Sequence, residues 1–220
     1  MKINKLEYDL EYLKQMYQVN PALLDEMALP SLFHSNPLVR WITKSRLKKA
    51  LSLIELKEET TILDFGCGPG ILLLQLPKQN VKAMGVDIEL WPAERYLQHH
   101  HRHDISLIHT DKWLKEVPDR SLDYLIATEV LEHIEDGKKY LRDFRTKLKD
   151  GGALIVSLPT ENAVYKLGRR IAGFSGDYHQ DEIIKIEEIY KQTGYKLVKK
   201  FSLPAPGIFS LYKFYHFLSD

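Results

Sequence analysis

The residues best equipped for chemistry fall in one short stretch, Asp64-Phe65-Gly66-Cys67-Gly68-Pro69-Gly70, followed at once by the apolar Ile71-Leu72-Leu73. Three glycines at alternate positions let the main chain bend sharply and lie against a ligand where a Cβ would intrude. A plain strand-to-helix turn needs fewer. A dinucleotide fingerprint, G-x-G-x-x-G, puts its third glycine at the sixth position for close helix packing. Here that position is Ile71 and the run reads G-x-G-x-G, which disfavours a nicotinamide-dependent oxidoreductase. Asp87 closes the run Val81–Val86 about 20 residues past the first glycine, where a carboxylate can accept from both hydroxyls of a ribose. Taken alone it could cap a helix before Glu89–Pro92. Glycine loop and spaced acid together favour a ribose-bearing ligand. Asp111, in His109-Thr110-Asp111, is either a turn residue or an acceptor for an exocyclic amine.

These residues need a scaffold that brings them together. From Thr60 onward, short apolar runs alternate with helical segments: Thr61–Phe65, Val81–Val86, Ile105–Ile108, Ser121–Ala127 and Ala153–Leu158. Most are apolar on both faces, as parallel strands covered by helices require. A helix carrying Leu141, Phe144 and Leu148 on one stripe is expected to stop at Asp150-Gly151-Gly152, and another runs from Asp181 to Gln192. Lys196–Leu203 and Ser210–Phe217 read as two closing strands, their aromatic side chains serving core and sheet edge. Repeated strand–helix–strand units make an open α/β sheet, and ligands bind beyond the carboxyl ends of its strands. Ahead of the sheet, Leu6–Gln18 is weakly amphipathic until Asn20-Pro21, and Asn36-Pro37 opens a second helix. There Leu47, Ala50, Leu51 and Ile54 make one apolar stripe, while Lys44, Arg46, Lys48 and Lys49 read as a solvated face. Residues 1–59 are thus expected to form a helical extension and residues 60–220 the principal domain.

Composition sets the outer bounds. The chain has 220 residues, 31 basic and 30 acidic, with 44% hydrophobic residues, so disorder and low complexity are excluded. Near-zero net charge gives no global field for nucleic acid. A single cysteine, Cys67, fits a reducing compartment, and the charged N-terminus has no apolar core of a signal peptide. No apolar run approaches the length of a spanning helix. A cytoplasmic protein without an integral membrane segment is the expectation. His99-His100-His101-Arg102-His103 lacks metal-ligand spacing, since consecutive helical residues point in different directions, and no metal site is assigned.

The fourth run ends in Ala127-Thr128-Glu129-Val130-Leu131-Glu132-His133-Ile134. With Leu63–Gly70, Gly85-Val86-Asp87 and Leu148-Lys149-Asp150-Gly151-Gly152, it resembles the class I S-adenosylmethionine-dependent methyltransferases. Within them it looks like the branch acting on small molecules, such as the ubiquinone and menaquinone biosynthesis methyltransferases. The likeness spans about Thr60 to Gly194, with Asp150 where the family usually has proline. It implies a Rossmann-like, seven-stranded, mostly parallel sheet with helices on both faces and an antiparallel seventh strand. It also implies S-adenosyl-L-methionine as cofactor. Asp64 and the backbone of Gly66, Cys67, Gly68 and Gly70 would hold the methionine end, and Asp87 the ribose. Ile88 would lie against the adenine, Asp111 would accept from its amine near the Lys112 backbone, and Glu129 would border methionine and acceptor.

Methyl transfer from a sulfonium asks mainly for alignment and exclusion of water, with a base only where the nucleophile must lose a proton. His133 and His179 are the candidate bases, each weighed against a structural hydrogen-bonding role, and Tyr178 is expected to line the acceptor. The Asn/Asp-Pro-Pro-aromatic box and the Pro-Cys nucleophile of nucleic-acid methyltransferases are missing at Thr128-Glu129-Val130-Leu131. A small or lipid-like acceptor follows, with the helical extension as its lid and a homodimer compatible with the aromatic tail. A noncatalytic cofactor-binding scaffold and, less favoured, a nicotinamide oxidoreductase are the alternatives.

Overall fold

In Ile62-Leu63 neighbouring side chains point to opposite faces, and both are fully buried: Ile62 joins the core beneath one face and Leu63 the core beneath the other. A strand apolar on both sides must be covered on both sides. The computed structural model describes residues 6–134, 136–160, 162–166, 190 and 193–220, and the strands it shows satisfy that demand. They are β1 (Thr60–Phe65), β2 (Val81–Asp87), β3 (Ser106–His109), β4 (Leu122–Thr128), β5 (Leu148–Pro159), β6 (Tyr195–Pro204) and β7 (Ser210–Ser219). They form one sheet in the order β3-β2-β1-β4-β5-β7-β6. The first five strands are parallel, and β7 runs antiparallel to both β5 and β6. This is the expected Rossmann-like α/β fold.

One face carries α4 (Ile71–Leu74), α5 (Trp91–His99) and the N-terminal helices α1 (Leu10–Val19), α2 (Pro21–Glu26) and α3 (Pro37–Ser52). Each N-terminal helix begins at a polar cap: Asp9 accepts from Tyr12 N, Asn20 from Leu23 N and Asn36 from Leu38 N. Leu13, Met16, Leu24, Leu29 and Leu32 share one core with Ile62, Ile126 and Ile155, so the extension is part of the sheet's own packing. The opposite face is covered by α6 (Trp113–Glu116) and α7 (Gly137–Lys147), where Trp113 and Phe144 pack edge-on against Phe65.

One local expectation is corrected, and one run proves structural. Leu148 lies in β5, because its backbone turns extended (ψ 141°) directly after Lys147; it stays buried, so its apolar stripe is real but its helix is not. The histidine run is not simply surface. His99 Nε2 lies 3.0 Å from Asp9 Oδ2 and its ring stacks on Tyr12 at 3.8 Å, fastening α1 to α5. Arg102 in the same run is buried and donates to the carbonyls of Leu74 and Leu76, both at 2.9 Å, which caps α4. Among the described residues no cluster of His, Cys, Asp or Glu is placed to hold a metal ion. No helix among them is long and apolar enough to cross a membrane. The segment 181–192 expected to be helical lies almost wholly outside the described residues.

Candidate functional site

The loop after β1 turns on left-handed glycines: φ is +75° at Gly66, +49° at Gly68 and +75° at Gly70. A Cβ on Gly66 would stand 2.6 Å from Val130 Cγ2, so that glycine serves close packing. On Gly68 the nearest atoms would be those of Met27, at 3.9 Å. Gly68 is itself buried, and an added Cβ would rest in ordinary contact with Met27 just past α2, so the loop is a cradle with Met27 over it. Cys67 faces inward, its thiol pushed well up by burial and then by Asp64 and Asp87.

Two carboxylates converge on this loop. Asp64, 3% exposed at the end of β1, has an Oδ1 with no hydrogen-bond partner among the described residues. Burial, then the neighbouring Asp87, pushes its carboxyl well above the ordinary range. Asp87, at the end of β2, accepts from Gly68 N at 2.7 Å and from Glu89 N at 3.3 Å. Burial raises it too, against those backbone donors. A buried carboxylate oxygen left unsatisfied costs about 1–3 kcal/mol or more, and a cationic ligand with donors would satisfy it. The site fits a group bearing positive charge beside a ribose.

Ile88, directly after Asp87, is 69% exposed, an apolar surface at the mouth of the cleft. Asp111 stands out beyond β3 with its side chain 87% exposed, 3.4 Å from His109 Nδ1. Lys112 N donates to His109 O at 2.9 Å. Glu129 follows β4 in the left-handed region, at φ +57°, a conformation disfavoured for a residue with a Cβ. It is held there by Ser157: Glu129 N donates to Ser157 O at 3.1 Å and Ser157 Oγ donates to Glu129 Oε1 at 2.6 Å.

Arg46 is the residue that periodicity misplaced. Only 18% of its side chain is exposed, its Nη1 lies 3.4 Å from Glu129 Oε2, and its guanidinium sits 4.5 Å above the Tyr212 ring. Burial opposes its charge, yet Glu129 and then Tyr212 and Tyr165 outweigh that and raise its pKa. Its Nε has no hydrogen-bond partner among the described residues. A single helix's pattern could not have found it, because its partners come from β4 and β7. Lys49 likewise is not solvated freely, lying 3.3 Å above the Phe201 ring.

His133 sits on a 3-10 turn, Leu131–His133, with an exposed side chain, while Glu132 beside it is buried. His179 and Tyr178 lie outside the described residues.

A sheet in this strand order, with a glycine cradle after β1 and a ribose-spaced acid after β2, defines the class I methyltransferase fold. Residues 38–200 match the family model described as a methyltransferase domain, and the chain belongs to that family, the class I S-adenosylmethionine-dependent methyltransferases. The ubiquinone biosynthesis O-methyltransferase of Rickettsia conorii is 24% identical over 199 residues, covering 86% of this chain and 66% of that protein. An uncharacterized methyltransferase of Mycobacterium bovis is 30% identical over 95 residues, 43% of this chain and 48% of its own. The chain spans between 48% and 66% of the length of the curated relatives it matches. Among solved structures, magnesium protoporphyrin IX methyltransferase from Synechocystis PCC 6803 with bound SAH has a TM-score of 0.66 at 18% identity, covering 96% of this chain and all (100%) of that one. A SAM-dependent methyltransferase from Aquifex aeolicus has a TM-score of 0.63 at 14% identity, covering 97% and 100%.

Proposed function

We propose that this chain transfers a methyl group from S-adenosylmethionine to a small or lipid-like acceptor by in-line displacement. The observation that carries the reading is the buried Oδ1 of Asp64, with no partner among the described residues, beside a glycine loop whose left-handed backbone at Gly68 carries no Cβ. When bound, the cofactor supplies a methyl group on a sulfonium whose departure leaves a neutral thioether. Asp64 and the loop from Gly66 to Gly70 hold the methionine end, and Asp87 accepts from the ribose. Ile88 covers the adenine face, with Asp111 and the Lys112 backbone at its edge. Arg46 meets an anionic group, either the cofactor's carboxylate or one on the acceptor, and Glu129 fixes Arg46 in place.

The extension of residues 1–59 acts as a lid, a role supported by Met27 over Gly68 and by the Asp9–His99–Tyr12 clasp on α5. His133, His179 and Tyr178 are proposed at the acceptor side, a histidine taking the proton only where the nucleophile carries one. The relatives named ubiquinone biosynthesis O-methyltransferases support a hydroxylated, quinol-like acceptor. Isothermal titration with S-adenosylmethionine, followed by tritium transfer from labelled cofactor to a panel of catechols and quinols, tests the proposal. Micromolar binding with transfer supports it. Absence of binding to the unaltered protein overturns it.

A further inference from the structure

The chain's charge is balanced overall, but not in space. Residues 37–52 hold five basic residues and no acidic one, and residues 193–219 hold four basic and no acidic. The fold sets these two segments side by side: Lys49 lies over Phe201, Arg46 over Tyr212, and Lys199, after burial, helps depress the Lys49 ammonium. Five of the eight large apolar side chains standing exposed among the described residues belong to the same two segments. They are Leu38, Trp41, Val198, Ile208 and Phe209, exposed by 42 to 70%. Such a concentration beside like-signed charge is unusual for a surface that meets only water.

The arrangement has a direction. From Lys49 beside Phe201 back to Arg46 over Tyr212, α3 points its N-terminal end toward the β6–β7 connection, and its first turns carry Trp41 and Leu38 in that direction. The connection, Ala205–Phe209, projects beyond the carboxyl end of β5, where Pro159 pairs with Tyr212. Asn162 Nδ2 ties it there by donating to Ser210 O at 2.6 Å and Ile208 O at 3.3 Å. The apolar tip thus lies on the ligand-binding side of the sheet together with Lys213, which pairs with Leu158 near the carboxyl end of β5, while Lys196 and Lys199, opposite Leu218 and His216 of β7, lie toward the other end.

We propose that this face docks peripherally on an anionic lipid surface, Ile208, Phe209, Trp41 and Leu38 entering the interfacial region while Arg40, Lys44 and Lys48 of α3 and Lys213 of β7 supply the positive flank. Aliphatic side chains dominate the tip, which suits acyl chains better than stacked bases, and edge-strand lysines oppose pairing with a second copy. The docking does not depend on methyl transfer, since no cofactor takes part in it.

Flotation of the full chain with phosphatidylcholine vesicles, with and without about 30% phosphatidylglycerol, tests the idea. Partitioning onto the anionic vesicles is expected to exceed that onto neutral ones by at least about tenfold and to fall with added salt. Two independent variants, Ile208→Ser with Phe209→Ser and Lys44→Glu with Lys48→Glu, should each reduce it by about tenfold or more while thermal unfolding stays unchanged. No flotation on either vesicle, or flotation retained by both variants, overturns the proposal. So does binding of a single-stranded RNA 30-mer that the lysine variant abolishes while vesicles are ignored, which would mark a nucleic-acid face. A dimer in sedimentation that the Ile208→Ser, Phe209→Ser variant dissolves, without vesicle binding, would also overturn it.

Discussion

Gly68 and Gly66 separate ligand binding from folding. Both have left-handed backbones, and an L-residue in that region costs about 1–2 kcal/mol. At Gly68 that is the whole cost of adding a Cβ, because among the described residues nothing stands nearer than Met27 at 3.9 Å. At Gly66 the Cβ meets Val130 at 2.6 and 2.7 Å, adding about 1–3 kcal/mol of overpacking. For a chain of 220 residues each kcal/mol shifts Tm by roughly 2–4 °C. Gly68→Ala should therefore lower Tm by about 2–8 °C and Gly66→Ala by about 4–20 °C. Gly68→Arg puts a long charged side chain at a buried position, so it should lose more stability than Gly68→Ala and fill the cradle, weakening S-adenosylhomocysteine binding by at least about 100-fold, some 2.7 kcal/mol or more. Thermal unfolding without ligand gives the first pair of numbers and isothermal titration the second. Binding by Gly68→Arg within threefold of the unaltered protein, or a greater stability loss in Gly68→Ala than in Gly66→Ala, would refute the reasoning.

Asp64→Asn should stabilise the ligand-free protein near neutral pH while weakening cofactor binding. The raised native carboxyl pKa means the folded state binds more protons, so stability is lost as pH rises from the unfolded value through the native one. The variant should gain about 1 kcal/mol and show a flatter profile in unfolding scans from pH 4 to 8. Arg46→Met leaves Glu129 without its cation; a loss of about 1–3 kcal/mol in urea unfolding and at least a tenfold rise in cofactor Kd are expected, and unchanged binding would show that Arg46 serves structure alone. Tyr96→Phe removes the hydroxyl that accepts from Asp9 N at 2.9 Å and should cost about 1 kcal/mol. Its signature is faster amide exchange confined to residues 7–19, and uniform exchange would argue against a separable clasp.

What the sequence disclosed was local. The parallel strands announce themselves because Ile62-Leu63 or Leu125-Ile126 must be buried on both faces, and the loop after β1 because alternate glycines leave no other economical reading. Leu148 shows the limit of periodicity: it continues the stripe of Leu141 and Phe144, yet a stripe does not record where backbone hydrogen bonding stops. Arg46 shows a harder limit. On α3 it has the composition of a solvated residue, and only the approach of Glu129 and Tyr212, both remote in sequence, turns it inward. The positive φ of Glu129 was equally invisible, because it follows from the Ser157 pairing across β4 and β5.

The same electrostatics decide between the two ligands a glycine loop can serve. A dinucleotide brings a pyrophosphate with two negative charges to the loop, and here that loop follows directly on Asp64, whose buried oxygen has no donor among the described residues. At an effective dielectric of about 20, like charges roughly 5 Å apart repel by about 3 kcal/mol. That is enough to cost more than a hundredfold in affinity. Protonating Asp64 would relieve the repulsion but leave an acid where the phosphates need donors. A ligand carrying an ammonium and a sulfonium reverses the sign: it draws Asp64 into its ionised form and relieves the burial that raises its pKa. It also leaves Asp87 to the ribose. On the proposed reading, the carboxylate that destabilises the protein alone is the group that selects the cation, and Gly68, free of any Cβ, lets the two come within reach.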